Sequence, residues 1–321
     1  MMKISRTFIK KTRSATIVAL LSLSIGVMFG AAMQKHSGFD GVLKIVDPRM
    51  FVEQPPYPAP IAETSYDIPK EFQGRLSLFV LAGQSNMSGK GEIPSEQSAN
   101  PRIIVFGNDY HWRIASEPID SPNGQLDEVS LDSNAGFGPG LAFATSLIKR
   151  KPDMVIGIIP CAKSASSIEE WQRSLSDNSL YGSCLKRIRA ATTMGELAGL
   201  LFFQGEADAV DPNQSEGQPV SANEYGDKFS AFVKDLRGDV SLPSLPVVYA
   251  QIGMNTAPEY FINWNAVKAQ QAQVKLSCSS MITTDDLALR DAVHFTNESY
   301  QLIGERFADA FWNLMTRSQI C

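Results

Sequence analysis

Histidine is scarce in this chain. Only His36, His111 and His294 occur in 321 residues, so a mechanism that needs an imidazole has three candidates. Cysteine is sparse as well. Cys161, Cys184, Cys278 and Cys321 are widely spaced and form no C-x-x-C pair, which leaves a zinc or redox motif without support. A positive excess is also missing. The formal net charge is -5, so no basic excess is available to neutralise a run of phosphates, which argues against nucleic acid as a partner. No internal repeat is present. What remains is an ordinary globular composition, 44 % apolar and 20 % charged, in a chain long enough for one large domain or two small ones.

The N-terminus departs from that average. Lys3, Arg6, Lys10, Lys11 and Arg13 are followed by an uncharged run from Ala15 to Met33. As a helix that run spans roughly 28 Å, close to the hydrocarbon thickness of a bilayer. A basic flank stays cytosolic, which places the rest of the chain outside, in the periplasm or at the cell surface. The segment reads as a retained membrane anchor (15–33) after a basic cytosolic stretch (1–14). The competing reading is a cleaved signal, with Gly30 and Ala32 as the small residues before the cut, which makes the protein secreted. In an exported chain the four cysteines form one or two disulfides or remain buried thiols, and spacing does not choose between these.

Residues 34–73 read as a connector. The stretch 53–64 holds four prolines in twelve residues, which predicts an extended, semi-rigid piece, either a spacer or a strap across the following domain. From residue 74 onward the chain alternates between strand and helix patterns. Short apolar runs lie at 76–82, 154–159, 198–203, 246–252 and 280–284. Helical patterns lie at 139–150, 224–237, 264–275 and 299–315. This alternation predicts a three-layer α/β/α domain over 74–321 with a central, mainly parallel, five-stranded sheet. Ligands of such sheets bind beyond the carboxyl ends of the strands. The polar stretch 106–137 reads as an inserted loop region.

Candidate chemistry falls at those strand ends. The first strand runs into Gly83-Gln84-Ser85-Asn86-Met87, where a serine after a tight turn is well placed as a nucleophile. Asp291 and His294 are three residues apart before the last helix, a spacing that lets a carboxylate fix one imidazole nitrogen and leave the other for Ser85. Gln204 and Glu206 follow the strand at 198–203. The Gln204 amide suits a developing oxyanion, and Glu206 suits an acceptor for His294 or a group that orients a neighbour. Gly138 opens a helix whose first N–H groups suit an oxyanion too. Each piece alone also reads as a plain turn or cap. His36, in the connector, and His111, in N-D-Y-H-W, are not favoured as bases.

The blocks G-Q-S-N-M, G-P-G-L-A-F-A, Q-G-E-A-D and D-A-V-H-F occur in that order. Together they resemble the sialate O-acetylesterase-like branch of the SGNH hydrolases, which includes acetylxylan esterases. Supporting similarity lies in V-I-G-I-I-P-C-A (155–162), S-I-E-E-W (167–171) and A-V-K-A-Q-Q (266–271), and the whole covers 74–315. The resemblance implies a flavodoxin-like fold with no cofactor and no metal. It implies Ser85 as nucleophile, His294 as general base and Asp291 as orienting acid, with Glu206 sharing that last role. Gln204, Gly138 and Asn86 inherit oxyanion or substrate binding, and Gly140 is a further glycine of the same block. The implied partner is an acylated carbohydrate, and the implied activity is removal of acetyl or short acyl groups. An acyltransferase with the same triad and a non-catalytic glycan-binding protein are the alternatives. One departure stands out. Many relatives carry Gly-Gly in the loop before the S-I-x-x-W helix, where this chain has Lys163 and bulkier neighbours that bear on substrate choice.

Overall fold

The structure, a computed structural model, describes residues 65–215, 221–316 and 321. The proposed anchor, the basic N-terminus, His36 and the proline cluster at 53–64 lie outside those residues. Among the described residues no helix is long and apolar enough to cross a membrane.

The strands are β1 (Leu76–Gly83), β2 (Ile103–Phe106), β3 (Trp112–Ile114), β4 (Val155–Pro160), β5 (Gly195–Phe203), β6 (Val247–Ala250) and β7 (Ser279–Ile282). They form one seven-stranded sheet in the order β3-β2-β4-β1-β5-β6-β7. Every pairing is parallel except that of β3 with β2. The expected five-stranded sheet thus gains β2 and β3 at one edge. Strand β3 is three residues long and lies inside the polar stretch 106–137, and β2 runs into the start of that stretch, where the apolar pattern breaks off. Nearly every position of β1 is buried, as expected for a central strand with helices on both faces.

The helices are α1 (Ser85–Ser88), α2 (Pro139–Arg150), α3 (Leu180–Ala191), α4 (Tyr225–Asp239), α5 (Trp264–Gln273) and α6 (Asn297–Thr316). Helix α2 has Pro139 in its first turn, where no N–H is needed, and Lys149 and Arg150 in its last, where they complement the dipole. Its Phe143 meets Phe79 of β1 at 4.9 Å, and Phe311 of α6 meets Phe79 at 4.9 Å. That trio joins α2 and α6 on one face of the sheet. On the other face Phe202 of β5 contacts Phe229 and Phe232 of α4, Tyr181 of α3 contacts Phe232, and Tyr249 of β6 reaches α5 through Gln271. Neighbouring Phe203 points to the opposite face, towards Phe295, as the two-residue period of a strand requires. Segment 167–171, expected to be helical, is a series of turns.

The described end of the connector lies against the sheet edge. The Tyr66 N–H bonds to the Trp112 carbonyl at 2.7 Å, and Ile68 is buried. The inserted region 106–137 is packed rather than loose, with Asn108, Glu117, Asp120, Ser130 and Asp132 buried. All four cysteines pair, Cys161 with Cys184 and Cys278 with Cys321. The first bridge ties the end of β4 to α3. Closing its loop of 23 residues stabilises the fold by roughly 3 kcal/mol on chain-entropy grounds.

Strand β1 sits where the chain order changes direction, with β4 on one side and β5 on the other. Its end pairs Leu81 with Pro160 and Gly83 with Phe203. The turns after β1, β4 and β5 therefore converge. Gly83 makes that convergence possible. Its φ is +130°, and an added Cβ would come within 2.1 Å of the Phe203 carbonyl oxygen.

Candidate active site

Ser85 is the first residue of α1, immediately after the turn at the end of β1. Its Oγ lies 2.9 Å from Nε2 of His294. The other ring nitrogen, Nδ1, lies 2.8 Å from Oδ2 of Asp291. Oδ1 of Asp291 accepts the backbone N–H groups of Val293 at 3.0 Å and His294 at 2.8 Å. The turn is therefore braced by the carboxylate that orients the ring. Burial opposes ionisation of Asp291, but the bond to His294 and those backbone donors outweigh it and hold the carboxyl below its usual value. This chain of contacts allows a proton to leave Ser85 for a ring whose far nitrogen is held by an anion. The other described histidine, His111, is exposed and its ring sits beside the Asp109 carbonyl.

The remaining candidates are close by but differently engaged. Glu206 does not meet the imidazole. Its Oε1 accepts from Nδ2 of Asn86 at 2.5 Å. Burial pushes the Glu206 carboxyl up to about 7, against the opposing bond from Asn86. The Asn86 amide also donates to the Val293 carbonyl at 3.0 Å, and its Oδ1 accepts from the Tyr300 hydroxyl at 2.7 Å. Gln204 turns its Nε2 to the Ser166 carbonyl and Oδ2 of Asp208, both at 2.8 Å, and to Oε1 of Gln84 at 3.2 Å. That Gln84 oxygen also accepts from the N–H groups of Gly205 and Ala207, so the Q-G-E turn grips the residue before Ser85. Gly138 packs against Gly89 just after α1, and its backbone N–H bonds to the Glu117 carboxylate. Gly140 packs on Leu81 within the core.

The loop after β4 lies along the same edge. The Lys163 N–H bonds to the Gly83 carbonyl at 2.9 Å, and its Nζ to the Leu131 carbonyl at 2.6 Å. Ser164 and Ser88 both donate to Oδ2 of Asp132, at 2.5 and 2.7 Å, and Lys90 donates to Oδ1 at 2.9 Å. Burial pushes the Asp132 carboxyl up, but the Lys90 ammonium and the two hydroxyls prevail and hold it well below the usual range. Gln84, Asp132 and Tyr300 were not singled out in the sequence. Tyr300 reads there as one more apolar position of a helix, and nothing in the pattern shows where its hydroxyl goes.

The Glu117 carboxyl, which accepts the backbone N–H groups of Ile119 and of Gly138 before α2, is pushed up by burial to about 8. In the unfolded chain the same group titrates at its ordinary value of 4.5. Between these two values the folded protein keeps a proton that the unfolded chain has released. The contribution is therefore complete below about pH 4 and declines as pH rises towards 8. Urea midpoints should fall between pH 5 and 8, and Glu117→Gln should make that fall shallower. An unchanged slope in the variant would assign the proton to another group.

A family profile described as "carbohydrate esterase, sialic acid-specific acetylesterase" matches residues 75–313. A probable carbohydrate esterase of Arabidopsis thaliana is 30 % identical over 257 residues, which is 73 % of this chain and 89 % of that protein. The crystal structure of the Arabidopsis protein superposes with a TM-score of 0.62, at 29 % identity, over 76 % of this chain and 99 % of the other. A carbohydrate acetylesterase from Xanthomonas citri shares the fold with a TM-score of 0.57 at 19 % identity, over 74 % of this chain and 56 % of that one.

Proposed function

The chain belongs to the carbohydrate esterase family described as sialic acid-specific acetylesterase, a group of carboxylic ester hydrolases, and on that footing we propose that it removes O-acetyl groups from a carbohydrate through an acyl-enzyme on Ser85. The observation that carries this reading is the unbroken line from Asp291 through His294 to Ser85, with contacts of 2.8 and 2.9 Å.

In the first half-reaction Ser85 Oγ attacks the acetyl carbonyl and passes its proton to Nε2 of His294. Asp291 holds the ring in the tautomer that can accept that proton and stabilises the imidazolium that forms. Collapse of the tetrahedral intermediate breaks the ester bond. The imidazolium returns the proton to the departing sugar oxygen, which leaves as a hydroxyl. Water then attacks the acetyl-serine with the same ring as base, and acetate is released. The backbone N–H of Ser85 opens α1 and has no acceptor within that helix, which makes it a donor for the oxyanion. Gln204 supports it through Gln84 by fixing the turn that presents the nucleophile. Lys163 forms part of the rim beside the site and bears on which sugar is accepted.

Two disulfides fit an oxidising compartment. With the basic N-terminus and the uncharged run 15–33, they support export, with the catalytic domain outside the cytosol and either anchored or released. The test uses the purified protein on p-nitrophenyl acetate and on a panel of O-acetylated sugars, with and without an unacetylated acceptor sugar. Release of free acetate that an acceptor does not divert supports the hydrolase. Acetyl transferred to the acceptor in place of acetate would identify a transferase, and no turnover of any ester would leave a binding protein.

A further inference from the structure

Asn86 adjoins the proposed nucleophile in sequence, yet its side chain is turned into the protein interior. It is completely buried, and both Nδ2 hydrogens and the Oδ1 oxygen have partners. The two Nδ2 hydrogens go to Oε1 of Glu206 at 2.5 Å and to the Val293 carbonyl at 3.0 Å. Oδ1 receives the hydroxyl of Tyr300 at 2.7 Å. These three partners come from the turn after β5, the loop that carries His294, and helix α6. Oε2 of Glu206 is buried and has no protein partner among the described residues, so Asn86 is the side chain that holds this carboxyl in place.

We propose that Asn86 is the positioning residue of this site: its carboxamide locks the Val293 carbonyl, and so the turn presenting His294, to the same helical turn that presents Ser85, with Glu206 and Tyr300 fixing the carboxamide. This rests on Ser85 and His294 acting as nucleophile and base. The chemistry of the position is restrictive. The site needs two donors and one acceptor in one plane, which an asparagine supplies. Aspartate would offer no donor and would set a second carboxylate against Glu206. Leucine matches the shape but strands one buried hydroxyl, one carbonyl and one carboxylate. In either case the histidine loop loses the tie to α1 that runs through the Val293 carbonyl. A displacement of about 1 Å between reacting groups is enough to cost about 10²-fold in rate. The effect falls on the chemical step, since Asn86 presents no free polar atom to a substrate.

The experiment measures kcat and KM on p-nitrophenyl acetate, together with the rate at which a phosphonate ester labels Ser85. Asn86→Leu and Asn86→Asp should each lower kcat about 10²-fold with KM within about threefold, and should slow labelling by a similar factor. Glu206→Leu should match them. Glu206→Gln keeps an oxygen for Asn86 and should recover about tenfold of that loss, which mere damage to the fold would not produce. Tyr300→Phe removes one oxygen from a packed ring, and serves if the Asn86 variants do not fold. It should lower kcat about fivefold at unchanged KM. Folded Asn86 or Tyr300 variants with wild-type kcat and wild-type labelling would overturn the proposal. Wild-type protein that the phosphonate does not label at Ser85 would instead overturn the nucleophile assignment on which it rests.

Discussion

Replacing Ser85 with alanine should reduce kcat for acetyl ester hydrolysis about 10⁵- to 10⁶-fold, the scale on which serine hydrolases lose activity with their nucleophile. Folding should be unaffected. Among the described residues the hydroxyl's hydrogen bond is to Nε2 of His294, and its loss leaves no buried charge unpaired. Nearby hydroxyls are not free to substitute. Ser88 Oγ is bound to Asp132, and Ser166 Oγ donates to the carbonyls of Lys163 and Gly83 and accepts from Trp171. Circular dichroism and the thermal midpoint serve as controls. Unaltered turnover in a folded Ser85→Ala protein would remove Ser85 from the mechanism.

The second large effect is expected at Asp291. Asp291→Asn should lower kcat about 10⁴-fold, as loss of an orienting carboxylate does where nothing replaces it. The asparagine oxygen can still accept the N–H groups of Val293 and His294, so the turn survives. Its NH₂ group then faces Nδ1 of the ring and favours the tautomer with the proton on Nε2, which cannot take a proton from Ser85. Glu206 is not placed to compensate, since its carboxyl is bound to Asn86. Glu206→Gln should therefore be the milder single change. A Glu206→Gln enzyme as dead as Ser85→Ala, beside an active Asp291→Asn, would reverse the two roles.

The contacts within Asp291–His294 were legible in the sequence because three residues on a turn leave little freedom in where the carboxylate can go. Their meeting with Ser85 depends on the fold, and strand–helix alternation with glycines at the strand ends indicated which edge would host it. Glu206 shows the limit of that reasoning. Its position after β5 places it near the site, but which side chain it meets depends on rotamers and on α6, more than ninety residues later in the sequence. Asn86 and Gln204 carry amides that suited an oxyanion on paper. Their partners, Val293, Tyr300, Ser166 and Asp208, are set by tertiary packing and leave those N–H groups occupied. Strands β2 and β3 and the cysteine pairings were hidden for related reasons. Strand β3 is a three-residue strand within a polar stretch and β2 runs into the start of that stretch, and four cysteines admit three pairings.

Acid-quenching the wild-type protein during turnover of p-nitrophenyl acetate, followed by peptide mass spectrometry, tests the acyl-enzyme most directly. A single acetyl group should appear on the peptide containing Ser85 and be absent from Ser85→Ala. Acetyl on any other residue, or acetyl that persists in Ser85→Ala together with turnover, would contradict the assignment.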